Sequence, residues 1–554
     1  MMIDTAEQFC RAEIMPHLEA IDHQEEGLMP KLIAKAGELG LCGIDSPEAY
    51  GGLGLGKNVA ARILEFMSLN GSMSVTYGIT SGISQVGLSL FGSEEQKAKF
   101  LPALTSGESI GAYALSEPNA GSDALSATTT AVQKGDKWVL NGTKMWISNA
   151  KWADQFLVMA KINGTDFSAF IVPRDTLGLT IAREEHKMGL KGSSTARIVL
   201  EDAEIPLENL LYEPGKGHHV AFNALNIGRF KLSSMSIGPA RNAIELAAGY
   251  ARDRKQFGKS LTEFGLIQKK LSQMAALFFV SESMIYRTGA LIDEAFDLYG
   301  GTIDGNRKAA EEYAIECSAC KVFSTEAEAW IIDEALQIFG GYGFTEEFPM
   351  ARHYRDARVS RIYEGTNEIN RLLTVDMILK RAMKGRLDLM GPAMAVQKEL
   401  MSIPDFGAGD EGAFASELKL VANMKKALLM VAGAAVQKLM MKLEHEQEIL
   451  MGIADMGIEI FNAESALLRA MKLHDLRGES ATALQVDIAR TYLYDAADRV
   501  NKAGKDAINA FASGDEQRMM LLGLKRFTKA EPFNSKDARR RIAARLIEDN
   551  AYRI

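Results

Sequence analysis

Cysteine is scarce in this chain, with four among 554 residues: Cys10, Cys42, Cys317 and Cys320. So few thiols over such a length exclude a disulfide framework, and reduced cysteines suit an intracellular compartment. Histidine is sparse as well, at eight. No His-Glu-x-x-His pair occurs, and His218-His219 follow a glycine-bearing turn without carboxylate ligands beside them, so no metal site is expected. An excess of positive charge is also missing: 63 Lys and Arg face 72 Asp and Glu, a net charge of -9, which argues against a nucleic-acid footprint. No uninterrupted apolar run has the length of a bilayer span, so no transmembrane helix is expected. The first twenty residues interleave Asp4, Glu7, Arg11 and Glu13 with apolar positions. That pattern fits neither the apolar core of a secretory signal nor an acid-poor transit peptide. A cytoplasmic setting is expected, or the mitochondrial matrix for a processed chain.

What remains is an ordinary globular composition, 47% hydrophobic and 24% charged. The length exceeds what one hydrophobic core supports, so several domains are expected. Up to about residue 110 apolar residues recur at helical spacing, as in Leu32, Ile33, Ala36 and Leu39, and Ser93 with Gln96 forms a capping-box start. From about 111 to 225 short apolar-polar alternations take over, as in Trp138-Val139-Leu140. Asn141-Gly142 and Asn163-Gly164 between them are read as tight hairpin turns. Helical periodicity returns from about 226 to 380, broken at Gly300-Gly301 and Gly340-Gly341. Ile403 to Gly412 reads as a flexible linker, and residues 413–510 are helical again within an extension running from 381 to the end. The expected fold class is α+β, mostly α: a helical domain, a central antiparallel β-barrel-like domain, a four-helix bundle and a helical extension.

Two motifs imitate chemistry. Residues 51–58, Gly-Gly-Leu-Gly-Leu-Gly-Lys-Asn, contain the glycine and lysine spacing of a phosphate loop, but Asn58 replaces the metal-binding Ser or Thr and no buried strand precedes it. Cys317-Ser318-Ala319-Cys320 lies in a helical stretch without a second pair at zinc spacing, and two core-facing cysteines explain it better.

The chemistry-bearing segments are others. Tyr113-Ala114-Leu115-Ser116-Glu117-Pro118-Asn119-Ala120-Gly121-Ser122-Asp123 combines hydroxyls, backbone donors and small residues where a flat polar ligand can approach; an ordinary Pro/Gly turn is equally open. Trp146-Ile147-Ser148-Asn149 sets an indole beside a hydroxyl, suited to covering a flat ring or, equally, to a buried core. Arg252-Asp253-Arg254-Lys255-Gln256-Phe257-Gly258 closes a helix with clustered cations, a guanidinium fork for a pyrophosphate or a solvated last turn. Gln337-Ile338-Phe339-Gly340-Gly341 offers glycines for close backbone approach. Finally, Arg361-Ile362-Tyr363-Glu364-Gly365-Thr366-Asn367-Glu368 places a carboxylate between apolar neighbours and a glycine, where desolvation would poise it as a base.

In this order, over residues 39–373, the segments resemble the acyl-CoA dehydrogenase family. Residues 226–230, the run 264–271 and the extension look most like its very-long-chain branch. The resemblance implies that family's fold, a homodimer, an acyl-CoA substrate, and FAD with an electron-transferring flavoprotein as acceptor. It places FAD contacts on Tyr113, Leu115, Ser116, Gly121, Ser122, Trp146, Ile147 and Ser148. Across a dimer interface it adds Arg254, Gln256, Phe257, Gln337, Gly340 and Gly341, with Gly365, Thr366 and Glu368 completing the flavin side. Ser122, Asn226, Gly228, Arg229 and Tyr363 match substrate-site positions, and Glu364 matches the catalytic glutamate. One subgroup of the family carries its base near Gly228 instead, and a glycine there leaves that role to Glu364.

The implied reaction is fatty acyl-CoA α,β-dehydrogenation to trans-2-enoyl-CoA in β-oxidation, with a long acyl chain expected. The alternatives are an acyl-CoA oxidase and a flavin-loaded respiratory-assembly scaffold. Gly78 and Gly82 would leave room for a long tail, while Tyr77 or Ile79 would block it. Mitochondrial very-long-chain relatives reach a membrane through their extension. The acidic stretch 405–411 opposes anionic lipid, so a soluble or weakly peripheral protein is expected.

Overall fold

The computed structural model describes residues 1–400 and 412–554. The linker expected at 403–412, and with it the acidic stretch, lies outside the described residues except for Gly412. The chain divides into two compact units: Met1–Asn242 with Thr288–Ile332 and Thr345–Thr366, and Ala243–Arg287 with Asp333–Phe344 and Asn367–Ile554.

The first unit opens with helices whose apolar faces form one core, including Phe9, Ile21, Ile33, Ile63, Met67 and Tyr77. The capping box is present: Ser93 and Gln96 exchange side-chain and backbone hydrogen bonds at the start of Glu94–Thr105. Between helices Gly71–Gly78 and Ser84–Phe91 the chain makes a π-helical turn, Ile79–Ile83, in which Gly82 takes non-helical angles.

An eight-stranded sheet follows, with strands β1 (Gly111–Ala114), β2 (Thr130–Lys134), β3 (Lys137–Ser148), β4 (Gln155–Ile162), β5 (Asp166–Pro173), β6 (Leu179–Glu184), β7 (Thr195–Pro206) and β8 (Leu210–Leu211). Its order is β6-β7-β3-β2-β4-β5-β8, with β1 also on β4. The sheet is mixed rather than antiparallel throughout, because β1 and β2 both pair with β4 in parallel. Alternation reveals a strand but not its direction. Here the chain returns through residues 115–129 after β1 and through all of β3 after β2, long enough for parallel neighbours.

Only one of the two Asn-Gly pairs makes a hairpin turn. Asn163-Gly164, both at positive φ, joins β4 to β5. Asn141-Gly142 lies within β3 at a register shift against β7, and Asn141 exchanges hydrogen bonds with Asp202. The β2–β3 turn falls instead at Gly135, φ 62°.

The second unit gathers the helical extension, including Ala415–Leu439, Gln447–Arg477, Glu479–Phe511 and Ser535–Asp549, with Asn367–Met383 and the parts of Gly217–Asp253 and Gly265–Tyr299 that belong to it. Ion pairs bind the extension to the preceding helices of this unit: Arg469 to Glu282 at 2.9 Å, Arg287 to Glu464 at 3.0 Å and Arg371 to Asp455 at 2.6 Å. On length and composition two described helices, Gly265–Tyr299 and Ala415–His445, are apolar enough to cross a bilayer, which inspection for uninterrupted runs did not reveal. The apolar window of the first is 72% buried in the protein, as in a core helix.

Candidate active site

Glu364 follows the short 3-10 turn Arg358–Arg361 and precedes the helix Asn367–Met383. Its φ of 54° lies in the left-handed region, which a non-glycine residue keeps only where its surroundings hold it. Two buried cations supply the hold. Arg229 Nε donates to the Glu364 carbonyl at 3.1 Å, and Lys321 Nζ donates to the Gly365 carbonyl at 2.8 Å. Arg229 is itself braced by Asn226 Oδ1 at 3.1 Å.

The carboxylate lies over Gly228 of helix Gly217–Asp253. A Cβ placed there would meet Glu364 Oε2 at 3.0 Å and Cδ at 3.4 Å. Glu364 keeps partial exposure as a residue, while its Oε2 is sealed from solvent. Burial raises its pKa to about 7 against the pull of Arg229 and Lys321. Burial and the adjacent Glu364 likewise push the Tyr113 phenol up, and Tyr363 is raised by burial. Ile362 contributes little to this shelter, contrary to the flanking-residue argument, since it is 50% exposed.

The loop after β1 is anchored by a group that sequence reading overlooked. Glu117 is buried and accepts from Thr128 N and Oγ1, Thr129 N and Oγ1, and Lys144 Nζ, over 2.5–3.0 Å. Burial alone would push this carboxyl up; Lys144 and Thr129 hold it down to about 2. Lys144 also donates to the Leu115 carbonyl, and Met145 N bonds the Ser116 carbonyl at 2.9 Å. A lysine at an inward position of an alternating strand was the available signal. Lys321, on the helix Ala314–Phe339 among buried neighbours, was another.

Next to this anchor Trp146 takes φ 62° at a register shift of β3 and turns its indole outward, 58% exposed. Ile147 faces the sheet core, and Ser148 pairs with Thr195. Around Gly121 no atom lies within 4 Å of a built Cβ. An outward indole beside an anchored loop with open space at its glycine fits a planar ring system and its polar tail.

Thus Tyr113, Leu115, Ser116, Gly121, Ser122, Trp146, Ile147, Ser148, Asn226, Gly228, Arg229, Tyr363, Glu364, Gly365 and Thr366 all belong to the first unit. Arg254, Gln256, Phe257, Gln337, Gly340, Gly341 and Glu368 belong to the second. There, strands β9 (Lys255–Gln256) and β10 (Lys259–Ser260) flank a turn at Phe257-Gly258, both at positive φ, which leaves Phe257 92% exposed. The Arg254 guanidinium lies 5.7 Å from the Tyr342 ring centroid, and Gly340 and Gly341 have open space above them.

Against this geometry, known proteins agree. Family models described as the acyl-CoA dehydrogenase N-terminal domain, middle domain and C-terminal domain match residues 1–108, 112–203 and 215–379; a further C-terminal-domain model matches 423–526. A probable acyl-CoA dehydrogenase of Bacillus subtilis is 44% identical, covering 100% of this chain and 94% of that protein. The crystal structure of an acyl-CoA dehydrogenase complexed with FAD from Bacillus anthracis superposes with a TM-score of 0.97 at 44% identity, covering 100% of this chain and 95% of that one. The human short-chain specific mitochondrial enzyme is 39% identical, over 69% of this chain and 90% of its own length. The very long-chain specific enzyme of Macaca fascicularis is 34% identical, over 89% and 77%.

The chain belongs to the acyl-CoA dehydrogenase family. It is an oxidoreductase whose cofactor is FAD. Similarity does not single out the very-long-chain branch, since the short-chain enzyme is more alike where it aligns.

Proposed function

We propose that this enzyme converts a fatty acyl-CoA to the trans-2-enoyl-CoA with Glu364 as the base. The observation that carries the reading is the Glu364 carboxylate over Gly228, its pKa raised to about 7 by burial. A base poised near operating pH, with its Oε2 sealed from solvent, suits removal of a weakly acidic proton. Bound FAD supplies the hydride acceptor. Glu364 takes the α-proton onto its carboxylate, the β-hydrogen leaves with its electron pair, and the α–β bond becomes double. Arg229 and Lys321 keep the base in place through its main chain and favour its ionised form. Ser122 and Asn226 complete the CoA side.

The acyl chain runs beside Leu232 and ends at Met235. Gly228, Leu232 and Met235 share one face of their helix at i, i+4 and i+7. Met235 is about 10 Å along the axis from Gly228 at the helical rise. The space left by Gly78 is occupied by the Met235 thioether, whose Sδ would be 2.7 Å from a Cβ there, and Lys231 Cδ would be 3.4 Å from a Cβ at Gly82. This favours a chain shorter than the glycines alone suggested.

Electrons pass to an electron-transferring flavoprotein in fatty acid β-oxidation. The enzyme works as a homodimer in which Arg254, Gln256, Phe257, Gln337, Gly340 and Gly341 reach the FAD of a second copy; the outward Phe257 supports this. Anaerobic titration with acyl-CoAs of graded length, followed by flavin bleaching, tests the reading. Bleaching by no chain length, or bleaching retained in Glu364→Gln, overturns it. Hydrogen peroxide release matching turnover overturns the acceptor.

A further inference from the structure

A buried ion cluster beside the acyl site takes no part in the proposed chemistry. Lys231, 4% exposed on the long helix Gly217–Asp253, donates to Asp45 Oδ1 at 2.8 Å and to the Ser81 carbonyl at 2.9 Å. Asp45 accepts from Lys57 Nζ on its other oxygen at 2.8 Å, and the Lys57 main-chain N–H meets both oxygens of Asp293 at 3.0 and 2.9 Å. Burial would raise the Asp45 carboxyl; Lys231 and Lys57 instead hold it well below the ordinary carboxylate range, so it is ionised. All of these residues belong to the first unit.

What the cluster grips is the π-helical turn Ile79–Ile83. Ser81 supplies the gripped carbonyl, and the next residue, Gly82, is the one with non-helical angles. Other side chains of the same turn face the site: Ile79 and Ile83 pack with Tyr113, Leu115 and Leu225, and Tyr113 is the phenol next to Glu364. Two glycines bring this segment close to the long helix. A Cβ at Gly82 would lie 3.4 Å from Lys231 Cδ, and one at Gly78 would lie 2.7 Å from Met235 Sδ. Lys231 thus grips the segment one helical turn before Met235, where the acyl chain ends.

We propose that Lys231 is a positioning residue for substrate chain length: its bond to the Ser81 carbonyl fixes the turn that presents Ile79 to the acyl chain. The inference rests on the chain path past Leu232 to Met235. A helix interrupted by a π-turn has lost its regular ladder there, and an outside donor to one of its carbonyls sets the geometry of the break. The turn has room to move if that donor is lost. A cavity of about 510 Å³ is lined by Ser81, Gln85, Ile227 and Lys231, together with Asp45 and Lys57. Without the bond the turn relaxes toward this space and Ile79 draws back from the acyl chain.

The consequence is read in anaerobic flavin reduction of the FAD-loaded enzyme by acyl-CoAs of graded length. One methylene of misfit in an apolar pocket discriminates by about 10–200-fold, so Lys231→Met should raise the rate with acyl-CoAs just longer than the native optimum, relative to the optimum itself, by about tenfold. Flavin content should not change. Lys57→Met disturbs the same cluster but leaves the Ser81 bond, and should keep the native chain-length profile. The double variant Lys231→Met/Asp45→Asn removes both charges of the pair together, avoiding a stranded carboxylate, and should show the same shift as Lys231→Met. A native profile in the double variant, whatever its melting temperature, overturns the proposal. An equal shift in Lys57→Met also overturns it, because the effect would then follow the cluster's stability and not the Ser81 bond. Met235→Ala, measured alongside, isolates the premise: an unchanged profile there overturns the chain path itself, whereas an extended one beside a native profile in the double variant overturns only the role of Lys231.

Discussion

A methyl group added at Gly228 should pull stability and catalysis in opposite directions. In a helix interior alanine is favoured over glycine by about 0.5–1 kcal/mol, so Gly228→Ala should not lower the melting temperature. Yet the three atoms nearest the new Cβ would all belong to the Glu364 carboxylate, the closest at 3.0 Å. Ordinary contact begins near 3.4 Å, so the carboxylate must retreat by about half an ångström, because the backbone carrying it is pinned by Arg229 and Lys321. A misplacement of about 1 Å costs on the order of a hundredfold, and half of that on a logarithmic scale is about tenfold. Stopped-flow flavin reduction under saturating acyl-CoA reads that loss directly. Native-rate reduction in a variant of equal or higher stability would refute the placement of the base over this glycine.

Other consequences are as direct. Flavin reduction should rise with pH through about 7, where Glu364 ionises, and Glu364→Gln should retain FAD while losing roughly 10²–10⁴-fold in rate; a flat native profile between pH 6 and about 8 counts against it. Because folding raises the Glu364 pKa, its stabilising contribution is full below the unfolded value of 4.5 and is lost as pH rises through about 7. Denaturation midpoints of Glu364→Gln should accordingly depend less on pH over that window. Lys144→Met strands a buried Glu117 carboxylate and should destabilise by about 3–5 kcal/mol with loss of FAD on purification; wild-type melting and flavin content would contradict the anchor. Met235→Ala should extend the range of acyl chains that bleach the flavin, and an unchanged chain-length profile would remove Met235 as the limit.

Elements defined by local physics were readable from sequence: the Ser93 capping box, the Asn163-Gly164 hairpin, and the change from helical to alternating periodicity near residue 111. What depends on distant partners was not. Asn141-Gly142 has the composition of a turn, but pairing with β7 draws it into a strand as a bulge. Ile362, apolar and adjacent to the base, faces outward, and the shelter comes from Gly228 more than a hundred positions earlier. Glu117 and Lys144 each look like surface charges until the fold brings them to 2.8 Å.

The two cations beside the base bind main-chain carbonyls, those of Glu364 and Gly365. Their charge therefore stays in place whatever side chain occupies position 364. With a neutral residue there, both positive charges remain and one negative charge is gone, which suits the site to retain a ligand that carries or develops negative charge. Disabling the chemistry would turn the enzyme into a trap for its own substrate, one that could be used to draw the native acyl-CoA out of a mixture and identify it.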